Sequence, residues 1–527
     1  MSGPIILGIG GILGDAASAI LKDGKLAAAV EESKLTRRRH AAGFGELPLH
    51  SIAACLELAA VQPADVHAVA LARPLPAGEF HLKLRAQFPN SRIVVVEHHV
   101  AHAASAYYAS PFDEATVLTL DRGGDFRCGS RWHARGSRMT LEIEQYSPDS
   151  LGELYGRVTE LLDFHANEDE HKVQWASAAG DDRYRALFLE IVSMVKDSPR
   201  IDRSFFSTER VRHGGFGSRF YERLGLEDGK PIPDALRPHV AAGMQRALEA
   251  AVIGMAGKGK NLCVAGGLGL NALLVSALEN ASGYESVFVQ PVAGNAGTSV
   301  GAVLETWHGT YGREQRVSLD TLALGPSFSA AEIKKELENC KLRFRYLLTE
   351  DEVIDAAVAQ LDDQRIVAWM HGRTEFGPRA LGNRSILASP LDPYSTENLN
   401  TYIKHRESVR KFAASVPAEL AGQYFQVGSN ARFLSTVGRV RPEHRERFSA
   451  ALLAGDLIRV HTVDRAENPL YWKLLHAAGK STGLPVLYNT SFNLFGEPLV
   501  CTPRDAVRSF YSSGIDALFV GQFLLQK

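Results

Sequence analysis

Apolar residues in this chain fall in short blocks separated by glycine-rich turns. "IILGIGG" (5–11) is followed by the alternating stretch "ASAILKDGKLAAAVEE" (17–32), interrupted at Asp23-Gly24. An Asp-Gly pair between alternating apolar runs predicts a tight hairpin. A similar unit starts near residue 115, "ATVLTLDRGGDFRCGSRWHARGSRMTLEIEQ". In both units an aspartate (Asp15, Asp125) follows a glycine-containing turn and a hairpin comes next. This predicts a duplicated β-β-β lobe. Strand–turn–helix units follow in "NLCVAGGLGLNALLVSALENA" and "SVFVQPVAGNAGTSVGAVLETWH". That alternation predicts the α/β class.

The pattern breaks around "LALGPSFSAAEIKKELENC", where Gly325-Pro326 ends one region and Ser327 or Ser329 offers a cap for a new helix. From about residue 345 a second αβ unit is expected. It has strands at "RIVAWM", "LPVLYN" and "SGIDALFVG", and helices at "NLNTYIKHRESVRKF" and "NPLYWKLLHAAGKSTG". The expected domains are therefore 1–330 and 345–527.

Length and composition narrow the class. A chain of 527 residues is too long for one core. It is 45% hydrophobic and 22% charged, as ordinary globular proteins are. Lys+Arg 58 against Asp+Glu 60 gives a net charge of −2, which argues against nucleic-acid binding through bulk charge. The cysteines (Cys55, Cys128, Cys263, Cys340, Cys501) form no C-x-x-C pair, so no disulfide framework or zinc knuckle is expected. The N-terminus lacks a basic signal-peptide region, and no apolar run nears 18 residues. These features predict a cytoplasmic enzyme with no membrane partner, and leave room for a homodimer.

Three stretches carry candidate chemistry. In "RIVVVEHHVAHAASAYY" a buried strand leads into an Ala-rich helix. His98 and His102 are i and i+4, so they share a helix face and can converge on one ion, while His99 points elsewhere. The alternative is a pair of histidines satisfied by hydrogen bonds. Asp121, at the end of the strand "TVLTLD", would complete an imidazole–carboxylate set suited to iron, manganese or zinc. The turns "AGGLGLN" and "GNAGTSVGA" each follow a strand and open a helix, a layout that lets backbone N–H groups approach phosphate. Finally, Arg373, Arg379, Arg384, Lys404 and Arg406 lie within 34 residues, and "YNTSFN" adds Asn489, Thr490, Ser491 and Asn493. Guanidinium forks recognise phosphate and carboxylate. "IKHRESVRK" alone reads as a solvated helix face, but arginines interleaved with Gly, Pro, Ala and Leu in "EFGPRALGNRS" do not.

These blocks resemble the O-carbamoyltransferases of the NodU/CmcH family. The resemblance rests on "GRTEFGPRALGNRSILASP", "LNTYIKHRESVRKF", "GLPVLYNTSFNLFGEPLVCTPRDA", "EHHVAHAASAYY", "LDRGGD", "AGGLGLN" and "DGKLAAAVEESKLTRRRH", and covers nearly the whole chain. It implies a duplicated actin/sugar-kinase/Hsp70-like N-terminal domain followed by a YrdC-like α/β domain. It also implies a reaction: carbamoyl phosphate and ATP (with Mg2+) form carbamoyl adenylate in the C-terminal domain, and the N-terminal domain passes the carbamoyl group to a hydroxyl or amine. The implied acceptor is a small molecule, a sugar or secondary metabolite as in antibiotic biosynthesis. Carried over by motif, Arg373, Arg379, Arg384, Lys404, Arg406, Asn489 and Ser491 would hold carbamoyl phosphate and ATP. Lys172, Gly266, Gly267 and Asn271 would contact the adenylate. His98, His102, Asp121 and Asn295 would bind a divalent metal, expected to be Fe2+.

Three positions depart from the family pattern. Gly14 stands where the family has its proposed catalytic histidine, Asn295 where it has a metal-binding aspartate, and "EESK" (31–34) where it has "EEER". Asp15 and His40 become the expected catalytic residues, His40 as candidate base because it titrates near neutrality. A subunit that makes carbamoyl adenylate for a partner transferase, its own transfer lobe degraded, is the alternative.

Overall fold

The computed structural model describes residues 3–39, 46–76, 78–207, 209, 212–405 and 411–527. The candidate base His40 and the candidate ligand Arg406 lie outside the described residues. The chain packs as two compact units, Met1–Val96 with Asn295–Lys527, and Glu97–Gly294.

The first unit opens with a five-stranded sheet: β1 (Ile6–Gly10), β2 (Ala17–Lys22), β3 (Lys25–Glu31), β4 (Ala68–Ala72) and β5 (Arg92–Val96), in the order β3-β2-β1-β4-β5. The hairpin β2–β3 turns at Asp23 (φ 52°) and Gly24 (φ 70°). Two left-handed residues are what a hairpin of this hand requires. β1 and β2 are antiparallel, while β1–β4 and β4–β5 are parallel. The helix Thr298–Glu305 packs on β1 so closely that a Cβ at Gly8 would fall 2.2 Å from the Ser299 carbonyl oxygen. This accounts for the glycines of "LGIGG". β5 was expected to be a buried strand. It is instead a sheet edge with Val95 half exposed, because apolar content says nothing about position in a sheet.

The second unit holds the matching sheet: β6 (Glu114–Gly124), β7 (Arg127–Arg135), β8 (Arg138–Tyr146), then β11 (Asn261–Ala265) and β12 (Ser286–Val289) after the small hairpin of β9 (Val192–Val195) and β10 (Ser198–Ile201). Its order, β12-β11-β6-β7-β8, repeats that of the first sheet. Again two antiparallel pairs extend one side of the first strand and two parallel pairs the other. The predicted duplication is therefore real. Asp15 lies between β1 and β2, and Asp125 occupies the same place between β6 and β7.

The C-terminal region forms one ten-stranded mixed sheet. Its strands are β13 (Arg345–Tyr346), β14 (Val367–Met370), β15 (Arg384–Ala388), β16 (Ala413–Pro417), β17 (Phe425–Gln426), β18 (Val437–Val440), β19 (Leu457–Val463), β20 (Leu487–Ser491), β21 (Ala517–Val520) and β22 (Phe523–Gln526). Their order is β13-β22-β21-β14-β15-β20-β16-β19-β18-β17. One face buries Ile386, Val460 and Tyr488, and the other packs Trp369 and Leu387 against the helix Pro469–Thr482. Ser329 caps the helix Ala330–Asn339 in a capping box with Glu332, as the break at residues 322–340 predicted. Among the described residues no disulfide joins the cysteines, and no helix is long and apolar enough to cross a membrane.

Candidate functional site

In the second unit the helix His98–Tyr107 begins directly after Glu97 and packs on β6, β7 and β11. One helical turn separates His98 from His102, and both rings reach the end of β6. His98 Nε2 lies 2.8 Å from Asp121 Oδ2, His102 Nε2 lies 3.2 Å from the same oxygen, and the two Nε2 atoms are 3.2 Å apart. All three side chains are buried. Asp121 Oδ1 accepts from the Arg122 amide at 2.8 Å, which turns Oδ2 toward the histidines.

Electrostatics here suit a cation. Burial works to raise the Asp121 carboxyl, but hydrogen bonds from His102 and His98 override it and hold it well below the usual carboxylate range. Burial lowers His102, against the pull of Asp121. Both directions, a lowered imidazole and a lowered carboxyl, favour the deprotonated forms that bind a divalent metal. Among His, Cys, Asp and Glu of the described residues, these three form the one group able to hold an ion. His102 Nδ1 is buried without a hydrogen-bond partner. His99, by contrast, is satisfied: Nε2 donates to the Arg127 carbonyl (2.9 Å) and Nδ1 accepts from Thr119 Oγ1 (2.7 Å). Burial, reinforced by the other two histidines, pushes His99 down to about 3.

Glycines shape this site from two sides. A Cβ at Gly124 would sit 2.1 Å from His98 Cδ2, so the ring occupies the space that glycine leaves. A Cβ at Gly266 (φ +95°) would overlap the Leu120 carbonyl at 2.2 Å, and one at Gly267 would touch Asp121 Oδ1 at 3.1 Å. The predicted phosphate turn "AGGLGLN" thus lies against Asp121. Asn271 caps the helix Ala272–Ala281 through the Leu274 amide (3.0 Å) and exchanges hydrogen bonds with Gln245, so its amide is committed to structure. Lys172 pairs with Asp169 (3.0 Å) and lies over the Phe164 ring.

Asn295 begins a short turn in the first unit, and its Oδ1 is buried without a hydrogen-bond partner. Asp15 is exposed, and a Cβ at Gly14 would meet nothing within 4 Å.

The arginine stretch organises itself differently from the clamp its composition suggests. Arg384 is buried, and its guanidinium donates to the carbonyls of His371 (2.9 Å), Gly372 (3.2 Å), Asn383 (2.9 Å), Pro326 (3.3 Å) and Cys501 (3.4 Å). Arg373 donates to the carbonyls of Gly325 (3.0 Å), Ala27 (3.0 Å) and Leu324. The anion inside the loop is its own Glu375, whose Oε1 accepts from the amides of Leu381 (2.8 Å), Asn383 (2.9 Å) and Arg384 (3.1 Å). Two of the three predicted forks are therefore occupied by backbone. Arg379 is partly buried, and desolvation lowers it to about 10.

Lys404 and the "NTSFN" block do come together. Lys404 Nζ donates to the carbonyls of Ser491 and Asn493 (2.8 Å) and to Asn493 Oδ1 (2.7 Å). Ser491 Oγ donates to the same Asn493 Oδ1 at 2.8 Å. Asn493 is the hub of this group and was not among the expected ligands, although it stands two residues after Ser491 in the same block. Asn489 Nδ2 donates to the Ala380 carbonyl (3.0 Å), while its Oδ1 is buried with no partner.

Two further residues escaped the sequence reading, Glu31 and Lys34. Lys34 Nζ donates to Glu31 Oε1 (2.9 Å) and to the carbonyls of Glu375 (2.6 Å) and Gly377 (2.7 Å). The Gly377 amide in turn donates to Glu31 Oε1 at 2.7 Å. Lys34 is signalled only as part of the departure of "EESK" from the family pattern, and Glu31 matches that pattern.

Comparison with known proteins decides the family. Residues 77–304 match the profile described as Carbamoyltransferase N-terminus, and residues 358–527 match Carbamoyltransferase C-terminus. The chain belongs to the carbamoyltransferase family. It is 32% identical to the uncharacterized protein sll1178 of Synechocystis, over 99% of this chain and 96% of that one. It is 31% identical to the nodulation protein NolNO of Sinorhizobium fredii, over 97% of this chain and 79% of that one. It is also 31% identical to the 3'-hydroxymethylcephem-O-carbamoyltransferase of Amycolatopsis lactamdurans, over 51% of this chain and 49% of that one. The carbamoyltransferase N-terminal match contains His98, His102 and Asp121, and the C-terminal match contains Arg379, Lys404 and Asn493.

Proposed function

We propose that the protein is an ATP-dependent carbamoyltransferase that works through carbamoyl adenylate. The observation that carries the reading is the convergence of two imidazoles and one carboxylate, against a glycine-rich turn, inside a chain that both carbamoyltransferase profiles match. In this reading region 345–527 makes the adenylate. Carbamoyl phosphate, ATP and one water give carbamoyl adenylate, pyrophosphate and phosphate. Arg379 supplies a cationic donor to the phosphates, Lys404, whose three donors are taken by Ser491 and Asn493, adds positive charge and fixes that block, and Ser491, Asn493 and Asn489 orient the uncharged atoms.

Region 1–330 then transfers the carbamoyl group to a hydroxyl or amine of a small-molecule acceptor, releasing AMP. His98, His102 and Asp121 would hold a divalent cation, Fe2+ being the expected one. Such a cation acts as a Lewis acid toward carbonyl and phosphoryl oxygens. Gly266 and Gly267 offer backbone to the adenylate, and Asp121 is held ionised by its two histidines. Enclosing these steps protects a hydrolysable intermediate from water. The acceptor is a small molecule of the kind named for the cephem enzyme.

ATP–pyrophosphate exchange tests the reading. Exchange that requires carbamoyl phosphate is expected, and exchange without it, or none at all, overturns the adenylate route. A second reading, a chain that makes the adenylate but has lost transfer, is favoured by one observation: position 14 carries no side chain and opens onto empty space. Exchange without carbamoylation of any of a panel of aminoglycoside and cephem alcohols would select it.

A further inference from the structure

The short helix Glu32–Thr36, close to the N-terminus, ends in Arg37, which adopts a left-handed conformation (φ 61°). Lys34 within this helix and Arg37 at its end hold loops more than 300 positions later in the chain. In its middle, Lys34 uses all three ammonium donors, one on Glu31 and two on the carbonyls of Glu375 and Gly377. Glu31 closes the ring by accepting the Gly377 amide. At its end, Arg37 donates to the carbonyls of Pro498 (2.9 Å) and Leu499 and approaches the carboxylates of Glu497 (3.4 Å) and Asp505 (3.5 Å).

The two loops held this way flank the phosphate site of the preceding section. Residues 375–377 lead directly into Arg379. Glu375 also gathers the amides of Leu381, Asn383 and Arg384, so its position sets the path of the loop on both sides of Arg379. The Glu497 backbone carbonyl accepts from Asn493 Nδ2 at 2.7 Å, and Asn493 holds Lys404. One helix thus fixes both cationic groups of the proposed site, Arg379 through Lys34 and Lys404 through Arg37.

A solvated surface helix has no need of such an arrangement. A buried ion pair adds little stability compared with an apolar substitute. Its use lies in fixing geometry, since a lysine with three assigned acceptors has one allowed position. We infer that Glu31, Lys34 and Arg37 are positioning residues of the carbamoyl phosphate and ATP site. This rests on the proposed function for the identity of the ligand, but not for the existence of the clamp.

The test uses the full-length protein and two independent readouts. One is amide hydrogen exchange at Gly377, Leu381 and Asn383, which needs no activity. The other is the KM for carbamoyl phosphate in ATP–pyrophosphate exchange. Lys34→Met should speed amide exchange in the 375–384 loop and raise that KM ~10-fold or more, because small misplacements of positioning groups are costly. Lys34→Arg, which restores the family residue and keeps a charged donor, should stay within about threefold of wild type on the same reasoning. Should Lys34→Met fail to fold, the isosteric Glu31→Gln serves instead, with the same directions and smaller sizes. Wild-type amide protection together with wild-type KM in these variants overturns the inference. If the wild-type protein shows no carbamoyl-phosphate-dependent exchange, the functional reading fails and amide protection alone decides on the clamp: loosening in Lys34→Met upholds it, and unchanged protection overturns it.

Discussion

The histidine helix and the arginine loop both looked like ligand sites in the sequence, and they use their side chains in opposite ways. His98, His102 and Asp121 turn three ligand atoms toward one point, each within 3.2 Å of the others. Arg373 and Arg384 turn their guanidinium groups toward the protein's own carbonyls, and Glu375 satisfies the loop amides that an anion would otherwise fill. The difference follows from what each pattern encodes. An i, i+4 spacing fixes where two side chains point once the helix forms. Arginines in a glycine-rich loop encode only charge and reach, and a nearby carbonyl is as good an acceptor as a phosphate when burial leaves no water to compete.

The sharpest way to break this comparison is to remove the cluster. Asp121→Ala should abolish binding of a divalent cation by the metal-reconstituted protein and lower carbamoyl transfer ~10³-fold, since an electrostatic centre of this kind is a large catalytic contribution. ATP–pyrophosphate exchange should persist. Elemental analysis beside both assays checks it, and a variant that keeps one metal per chain would show that the ligands lie elsewhere. Next in size is the contrast between two arginines. Arg384→Lys should cost about 3 kcal/mol or more of stability, because a lysine cannot reach five carbonyls from one buried position. Arg379→Lys should leave denaturant unfolding nearly unchanged but lower carbamoyl-phosphate-dependent exchange ~10-fold or more by loss of the planar fork. The reverse pattern would mean that the occupied forks are the ligand-binding ones.

How much of this was legible depended on sequence distance. The turn at Asp23-Gly24, the repeated lobe, the cap at Ser329 and the histidine pair are all local, and local rules located them. The partners of Arg373 and Arg384 are backbone atoms of Ala27, Leu324, Pro326 and Cys501. A carbonyl is present at every position, so no residue pattern announces which one a fork will meet. Lys34 was visible only as an exception to a family motif, and its role depends on a segment more than 340 positions away. Asn493 stood in a quoted block, but nothing local ranks it above Asn489 or Ser491. Strand order across the C-terminal sheet was likewise out of reach, because it pairs strands far apart in the chain.

A gentler perturbation asks how finely the cluster is built. Gly124→Ala places a methyl group where the His98 ring now sits, at 2.1 Å from Cδ2. The ring must move, while Asp121 and His102 keep their places. Metal affinity should fall 10–100-fold, the size usually seen when the support of a ligand is disturbed. Isothermal titration with the chosen divalent ion measures it. Unchanged affinity would mean that His98 is dispensable and that the convergence reflects hydrogen bonding alone.

The smallest expected effect is also the one that adds chemistry instead of removing it. The motif resemblance implies a histidine in the family where this chain has Gly14. A Cβ there meets no atom within 4 Å, so Gly14→His introduces an imidazole without a steric penalty at the backbone. Unfolding should be unchanged and ATP–pyrophosphate exchange unaffected, because the added side chain starts in open space and displaces no neighbour. A fully effective general base contributes about 10²–10⁴. An imidazole placed without its supporting hydrogen bonds should recover only part of that, so transfer to an alcohol acceptor should rise roughly threefold to tenfold, with its pH profile acquiring a rise near 6.5. Transfer to an amine acceptor should not change, since an amine attacks without losing a proton first. His40→Ala provides the complementary arm: if His40 is the base, its loss should lower transfer and spare exchange, and Gly14→His should restore part of the loss. A gain for alcohols but not amines would show that the first lobe still lacks only a base, whereas no gain for either would make an acceptor that needs no base the better account.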